Sequence, residues 1–236
     1  MDSLLDNKTF YLNDYVKIDF EGDKEAVKKL LQGQITSDIE ESGSTFFQPS
    51  AICDVKGFVI ADFLILNAEE MISVIIHNSL AACLKAELEP MLPFYKTSLK
   101  ETKVCCLGFI GNKKTIGMPI SFLQTKAEVS LKIDHQEEKN SEHLNFSEWK
   151  LANYLNGNIF LSDNSSKKYR PHELGFDKSQ ISASTHTSPR GFSKSDFAFR
   201  FSSLTLIGVG LGKGMRVFRN CRDCSDLTLS VQYGAY

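Results

Sequence analysis

Leu31-Gln32-Gly33-Gln34-Ile35-Thr36-Ser37-Asp38-Ile39 and, further on, Asp54-Val55-Lys56-Gly57-Phe58-Val59-Ile60-Ala61-Asp62-Phe63-Leu64-Ile65-Leu66-Asn67 are the stretches whose reading decides the fold. The first is the apolar end of a helix running into a polar turn. The second is a turn opening into an apolar strand, and the residues between them fit a short strand that pairs with it as a hairpin. Upstream, Phe10-Tyr11-Leu12 and Tyr15-Val16-Lys17-Ile18-Asp19-Phe20 alternate as two strands. Asp23 then suits the N-cap of a helix that carries Ala26, Val27, Leu30 and Leu31 on one face. Downstream, strands are expected over residues 45–53, 58–66 and 71–77. A helix from Ser79 follows, with Leu80, Leu84 and Leu88 at i+4 spacing, and Pro90 and Pro93 stop it. Further strands are expected at residues 104–110 and 130–133, separated by a solvated loop from a helix over residues 145–155. That helix has Ser147 as its cap and Asn156-Gly157 as its stop. Strands and helices in this order give an α+β chain.

Bulk composition narrows the class. A hydrophobic share of 42% with 24% charged residues is that of a soluble globular protein with one or two domains. A net charge of -2 gives no electrostatic case for direct nucleic-acid binding. No apolar run has the length of a membrane span, and the start Met1-Asp2-Ser3-Leu4-Leu5-Asp6-Asn7 lacks the basic region of a signal peptide. With no Arg before Arg170, a mitochondrial transit segment is not expected either; the expected address is the bacterial cytoplasm, with a mitochondrial matrix as second choice. The six cysteines are scattered and read as reduced thiols. Cys53, Cys83 and Cys106 sit in apolar settings that imply core packing.

The two opening blocks are followed by a helix holding Trp149, a Gly157 turn and Tyr169-Arg170-Pro171-His172-Glu173-Leu174-Gly175-Phe176-Asp177. In that order they resemble the folate-binding proteins related to the glycine cleavage aminomethyltransferase (T-protein, GcvT), most closely their YgfZ branch. The resemblance spans residues 10–185. It implies a GcvT/YgfZ-like folate-binding domain over residues 1–185, with a ferredoxin-like subdomain at about 45–135, and tetrahydrofolate or another reduced folate as cofactor. It also implies a role in iron-sulfur cluster assembly or repair, and through it in tRNA modification, with iron-sulfur proteins as possible partners. No catalytic residue is assigned.

The resemblance breaks after Gln180-Ile181-Ser182-Ala183-Ser184-Thr185. There the family has a Lys-Gly-Cys-Tyr-x-Gly-Gln-Glu motif and a C-terminal β-barrel, whereas this chain continues His186-Thr187-Ser188-Pro189-Arg190-Gly191-Phe192. Residues 1–189 hold nineteen Lys and one Arg, residues 190–236 hold two Lys and five Arg, and no Glu follows Glu173. A substituted or frame-shifted tail over residues 186–236 explains this, as does a divergent member with a shortened second domain. In both cases the barrel is missing or aberrant.

The candidate site residues carry paired readings. Asp54-Val55-Lys56-Gly57 is a β-turn with Gly57 supplying a permissive backbone; alternatively it walls a pocket, Lys56 pairing with the glutamate tail of folate while Asp54 fixes the turn. Asp62 lies in an apolar strand, where a bare carboxylate is expensive, so it must face solvent, pair or bind a ligand. T-proteins carry an Asp pair at the corresponding place, and Ala61-Asp62 keeps half of it. This disfavours the alternative of a tetrahydrofolate-dependent aminomethyl or methyl transferase; a third alternative is an inactive truncated member. Gln32, Gln34, Thr36 and Asp38 form either a structural helix end or part of a binding surface. Arg170 makes either an anion contact or an exposed ion pair. Cys221-Arg222-Asp223-Cys224 is half of a zinc pattern and Gly208-Val209-Gly210-Leu211-Gly212-Lys213-Gly214 fails the phosphate-loop spacing, so no metal site is assigned. Limited proteolysis is expected to cut first in the tail, from about His186; hydrogen-exchange protection there equal to that of the core would contradict it.

Overall fold

A computed structural model describes residues 2–112, 116–123, 125–134 and 144–176, and the backbone of 215–216 and 232–233. Its spine is β1 (Lys8–Glu21), one continuous strand where two were expected. The pairing with the later strand β5 (Ser98–Gly111) shifts register between Leu12 and Tyr15, and the exposed Asn13-Asp14 pair absorbs the shift as a bulge. The alternation breaks there without the chain changing direction.

After β1 comes α1 (Lys24–Gln32), which buries Val27, Leu30 and Leu31; Asp23 takes the extended N-cap position without a side-chain capping bond. The hairpin of β2 (Gln48–Cys53) and β3 (Val59–Asn67) follows, then β4 (Ile72–His77), α2 (Asn78–Leu88) and the short α3 (Leu92–Tyr95). β5 starts earlier than expected because its first residues, although exposed, pair with β1 as far as Ser98 opposite Glu21. Strands β6 (Met118–Pro119) and β7 (Glu128–Asp134) complete an antiparallel sheet of order β2-β3-β4-β1-β5-β7-β6. On one face Val16, Ile18 and Phe20 stand opposite Ile76, Val74 and Ile72. α2 contacts β1, β3 and β4 and buries Leu80, Leu84 and Leu88, as the i+4 spacing requires.

The two ends of the sheet meet. Phe47 N–H donates to Pro119 O at 2.8 Å, and Ser121 N–H donates to Phe47 O at 2.9 Å, so the residue before β2 bridges the edge beyond β6. The curled sheet encloses an apolar interior that includes Phe10, Leu12, Phe47, Leu64, Val104 and Leu131. Over this interior lies α4 (Phe146–Asn156), tied to β1 by Tyr11 N–H to Leu144 O and Leu144 N–H to Thr9 O. Its cap is Asn145 rather than Ser147. The Asn145 side chain accepts from Glu148 N–H at 3.1 Å while Glu148 Oε2 accepts from Asn145 N–H at 2.8 Å, the reciprocal box that an Asn three residues before a Glu can make. Gly157 ends the helix with φ 101°, as expected.

Residues 199–236 form a separate unit, of which β8 (Met215–Arg216) and β9 (Gln232–Tyr233) are a short antiparallel pair. The loop expected at 135–142, the Gly-rich run at 208–214, Cys221, Cys224 and the point of divergence at His186 lie outside the described residues.

Trp149 is buried edge-on against Phe10, with ring centres 5.2 Å apart, and its ring rests on Gly108. A Cβ at residue 108 would stand 2.6 Å from the indole, closer than packed carbons approach. Gly108→Ala is therefore expected to cost about 1–3 kcal/mol by overpacking. Urea denaturation should show a lower midpoint at unchanged slope.

Candidate functional site

β4 pairs only with Leu64–Asn67 of β3, so the first half of β3 has an open edge. The segment following α4 occupies it. Val59 N–H donates to Tyr169 O at 2.8 Å, Lys167 N–H donates to Val59 O at 2.7 Å, and Ser166 Oγ donates to Ile60 O at 2.7 Å. At the end of this run Leu161 N–H donates to Asp62 Oδ2 at 3.2 Å. Asp62 stands opposite Ala51 of β2, between the buried Ala61 and Phe63. As a residue it keeps partial exposure, but its carboxyl group is packed about. Burial pushes that carboxyl up to about 7, against the lowering effect of the Leu161 N–H.

The opening at Asp62 is a recess walled by Pro49, Leu64, Phe122, Phe160 and Phe176, with about 240 Å³ of unfilled space including the part open to solvent. Its enclosed part is about the size of one water molecule. Tyr15 lies near Asp62 in the interior. Burial first, and the charge of Asp62 second, push its hydroxyl far above the ordinary phenol range, so it remains an O–H donor. The Trp149 indole neighbours that hydroxyl, yet its buried Nε1–H makes no hydrogen bond of good geometry. Phe160 stacks on Trp149 with centres 6.3 Å apart and meets Phe122 edge-on at 6.2 Å. Asn158, just before the recess-lining Ile159 and Phe160, is 1% exposed, and neither its Oδ1 nor its Nδ2 has a partner.

Unpaired buried polar atoms each cost about 1–3 kcal/mol, and a bound water or ligand that pairs them relieves that cost. A carboxyl that titrates near neutrality donates when protonated and accepts when ionised. It lies under aromatic walls, while the Tyr15 hydroxyl and its Trp149 neighbour are within its electrostatic reach and outside the lining of the recess. That combination suits the edge of a polar, flat heterocycle, as in a reduced pterin, and in donor and acceptor chemistry the residues fit one. In volume only the open part of the recess can take the edge of such a ring, since the enclosed part holds about one water molecule.

The other sequence-derived residues fall in two places. Asp54 Oδ1 accepts from Lys56 N–H and from Phe58 N–H, both at 2.9 Å, while Gly57 takes φ 83°. Asp54 thus fixes the hairpin turn, with Lys56 exposed at its tip. The Arg170 guanidinium lies over the Phe58 ring, 5.6 Å from its centre, so the structure brings Arg170 to the same turn. Gln32 and Gln34 lie on the opposite edge of β2, where Ile35 bridges Ile52. Gln32 Oε1 accepts from Ile39 N–H at 2.9 Å, Thr36 Oγ1 from Ala51 N–H at 3.0 Å, and Asp38 Oδ1 from Glu40 N–H at 3.1 Å, all ties that hold the helix end in place. Within this block the buried Gln34 Oε1 has no partner. Sequence reasoning did not single out Tyr15, Asn158 or the Phe walls as site residues. Tyr15 reads as an ordinary strand position and Asn158 as turn polarity, and only the fold brings Tyr15 within electrostatic range of Asp62 and Asn158 next to the recess-lining Ile159.

No protein-family description matches the chain, and no characterised protein matches it in sequence. Among solved structures it is similar to the glycine cleavage system aminomethyltransferase T from Bartonella henselae, at 14% identity and a TM-score of 0.44. The match covers 54% of this chain and 41% of the aminomethyltransferase, so the chain spans less than half of that protein. Among the described residues no helix is long and apolar enough to cross a membrane.

The Asp62 carboxyl binds its proton more tightly in the folded chain, at about 7, than at the ordinary 3.8. Its contribution to stability is thus fully present below about pH 4 and is lost as pH rises through 7. Asp62→Asn removes the titration and keeps the shape. Thermal melts should show the wild type losing stability relative to this variant between about pH 4 and pH 8. A constant difference across that range would contradict the assignment.

Proposed function

We propose that this chain binds a reduced folate at the Asp62 recess and acts as a folate-binding accessory protein. The observation that carries the reading is the Asp62 carboxyl beneath aromatic walls, its proton held by burial. It lies in the sequence block that resembles the folate-binding YgfZ branch. Leaving aside β2, which is inserted between α1 and β3 and extends the sheet beyond β3, the order β1-α1-β3-β4-α2-β5 with spatial order β3-β4-β1-β5 supports a ferredoxin-like part for the fold, over the residues from Lys8 to Gly111 rather than 45–135. On this reading residues 1–185 are the folate-binding domain of a cytoplasmic protein that serves iron-sulfur proteins and, through them, tRNA modification. The missing Lys-Gly-Cys-Tyr-x-Gly-Gln-Glu motif separates folate binding from the cluster-linked step. The transferase alternative needs a second carboxylate next to Asp62, where this chain has Ala61.

Titration calorimetry with tetrahydrofolate should give saturable binding. Loss of a hydrogen bond to a charged group in Asp62→Ala should weaken it by about ten- to a hundredfold. Lys56→Ala, which removes an exposed charge, should weaken it by about two- to fivefold. Absence of binding heat with any reduced folate ends the proposal.

A further inference from the structure

We infer that the exposed half of β5, from Lys100 to Val104, is an interface on which a second copy of this chain pairs antiparallel with the first, about a two-fold axis at Thr102. The inference is independent of the folate reading. β5 pairs with β1 along this half, but β7 ends at Asp134 opposite Cys105, so among the described residues no strand lies on the far side of Ser98–Val104. The sheet itself fixes where the backbone groups point. Ala51 turns its N–H and C=O outward to Thr36, and in antiparallel sheets alternate residues bond to alternate neighbours. Stepping through the register from β2 to β3, β4, β1 and β5 makes Lys100, Thr102 and Val104 face β1 and turns the N–H and C=O of Leu99, Glu101 and Lys103 outward. The other end of the sheet agrees. Ile120 N–H donates to Val129 O at 2.8 Å, so Phe109 faces β7, and every second residue back along β5 faces the lane that β7 leaves at Asp134.

Charge selects both the occupant and the register. A two-fold antiparallel pair sets one residue opposite itself, and an axis at Lys100, Glu101 or Lys103 would oppose like charges. An axis at Thr102 instead opposes two threonines, a favourable cross-strand pair, and sets each Glu101 against Lys103 of the other copy. Glu101 and Lys103 are also the residues with outward backbone groups, so the same register forms about four backbone hydrogen bonds. Lysines on an open edge ordinarily discourage pairing, but in Lys100-Glu101-Thr102-Lys103 the interposed carboxylate makes the edge complementary to itself. Exposed Lys103 has no ion pair among the described residues. Glu101 holds Lys85 Nζ at 2.6 Å through Oε2, which leaves Oε1 for Lys103 of the second copy. The occupant from within the chain would be β7 continued past Asp134. In its own register it would put Glu138 opposite Glu101 and Lys139 opposite Lys100, like against like.

Sedimentation velocity on the full chain should show a monomer–dimer equilibrium with a dissociation constant on the order of 100 μM, as suits so small an interface. Lys103→Glu and Glu101→Lys each oppose like charges in both pairs and should weaken the dimer about tenfold. An equimolar mixture of the two variants should restore it, because every Glu then faces a Lys. Lys103→Pro removes an outward N–H and no bond to β1, and should abolish the dimer without relying on charge. Amide exchange read by NMR should be fast at Leu99, Glu101 and Lys103 in dilute protein and slow in concentrated protein, with Thr102 protected in both. A monomer up to about 1 mM overturns the proposal. If those three amides are protected at every concentration, a segment of the same chain covers the edge, which overturns it too. A dimer that survives Lys103→Pro, or that the mixture fails to restore, forms elsewhere and has the same consequence.

Discussion

The open edge of β3 is the constraint on which the site depends. β4 reaches only from Leu64 onward, so the backbone groups of Val59 to Asp62 on that side would stand unpaired without another segment. The stretch after α4 pairs those of Val59 and Ile60 through Lys167, Tyr169 and Ser166, and its Leu161 N–H binds the Asp62 side chain. Those same bonds bury the Asp62 carboxyl, set Phe160 over Trp149 and carry Arg170 to the β2–β3 turn. A requirement of backbone hydrogen bonding thus assembles side chains about a hundred residues apart in sequence, as the Val59 bonds to Lys167 and Tyr169 show directly.

That edge segment is held in turn by α4, because the chain leaves the helix at Gly157 and reaches Leu161 within four residues. α4 is fixed by its reciprocal Asn145–Glu148 cap and by Trp149, for which Gly108 leaves the room. A displacement of the indole would therefore move Phe160 and loosen the wall of the recess as well as the core. Stability and site shape are coupled through one side chain.

Much of the architecture was legible because its signals are local. The i+4 leucines of α2, the stop at Gly157 and the hairpin between Cys53 and Val59 are written in spacing and turn residues. The continuity of β1 was not, since an exposed bulge at Asn13-Asp14 reads as a break in alternation. Nor could spacing distinguish Ser147 from Asn145 as the cap, because both are good N-cap residues and only the reach of Glu148 back to Asn145 N–H decides between them. Of the site, Asp62 and Asp54 stood out as carboxylates in apolar or turn settings. Tyr15 and Asn158 did not, because their chemistry comes from burial and from neighbours on other strands. Arg170 was conspicuous by rarity alone, and its place over the Phe58 ring depends on the edge pairing that no local pattern encodes.

The recess and the cationic turn impose different demands on a ligand, and together they restrict its shape. The enclosed part of the recess, about the size of one water molecule, is far below the roughly 300–1,000 Å³ of sites that enclose a drug-sized molecule. Whatever binds at Asp62 must therefore leave most of its length outside. The exposed cations offer little to a neutral tail and little to a single carboxylate, since one exposed ion pair contributes about 0–1 kcal/mol. On the proposed folate reading they serve the anionic tail only once the head has docked, because the first contact then raises the effective concentration of the rest.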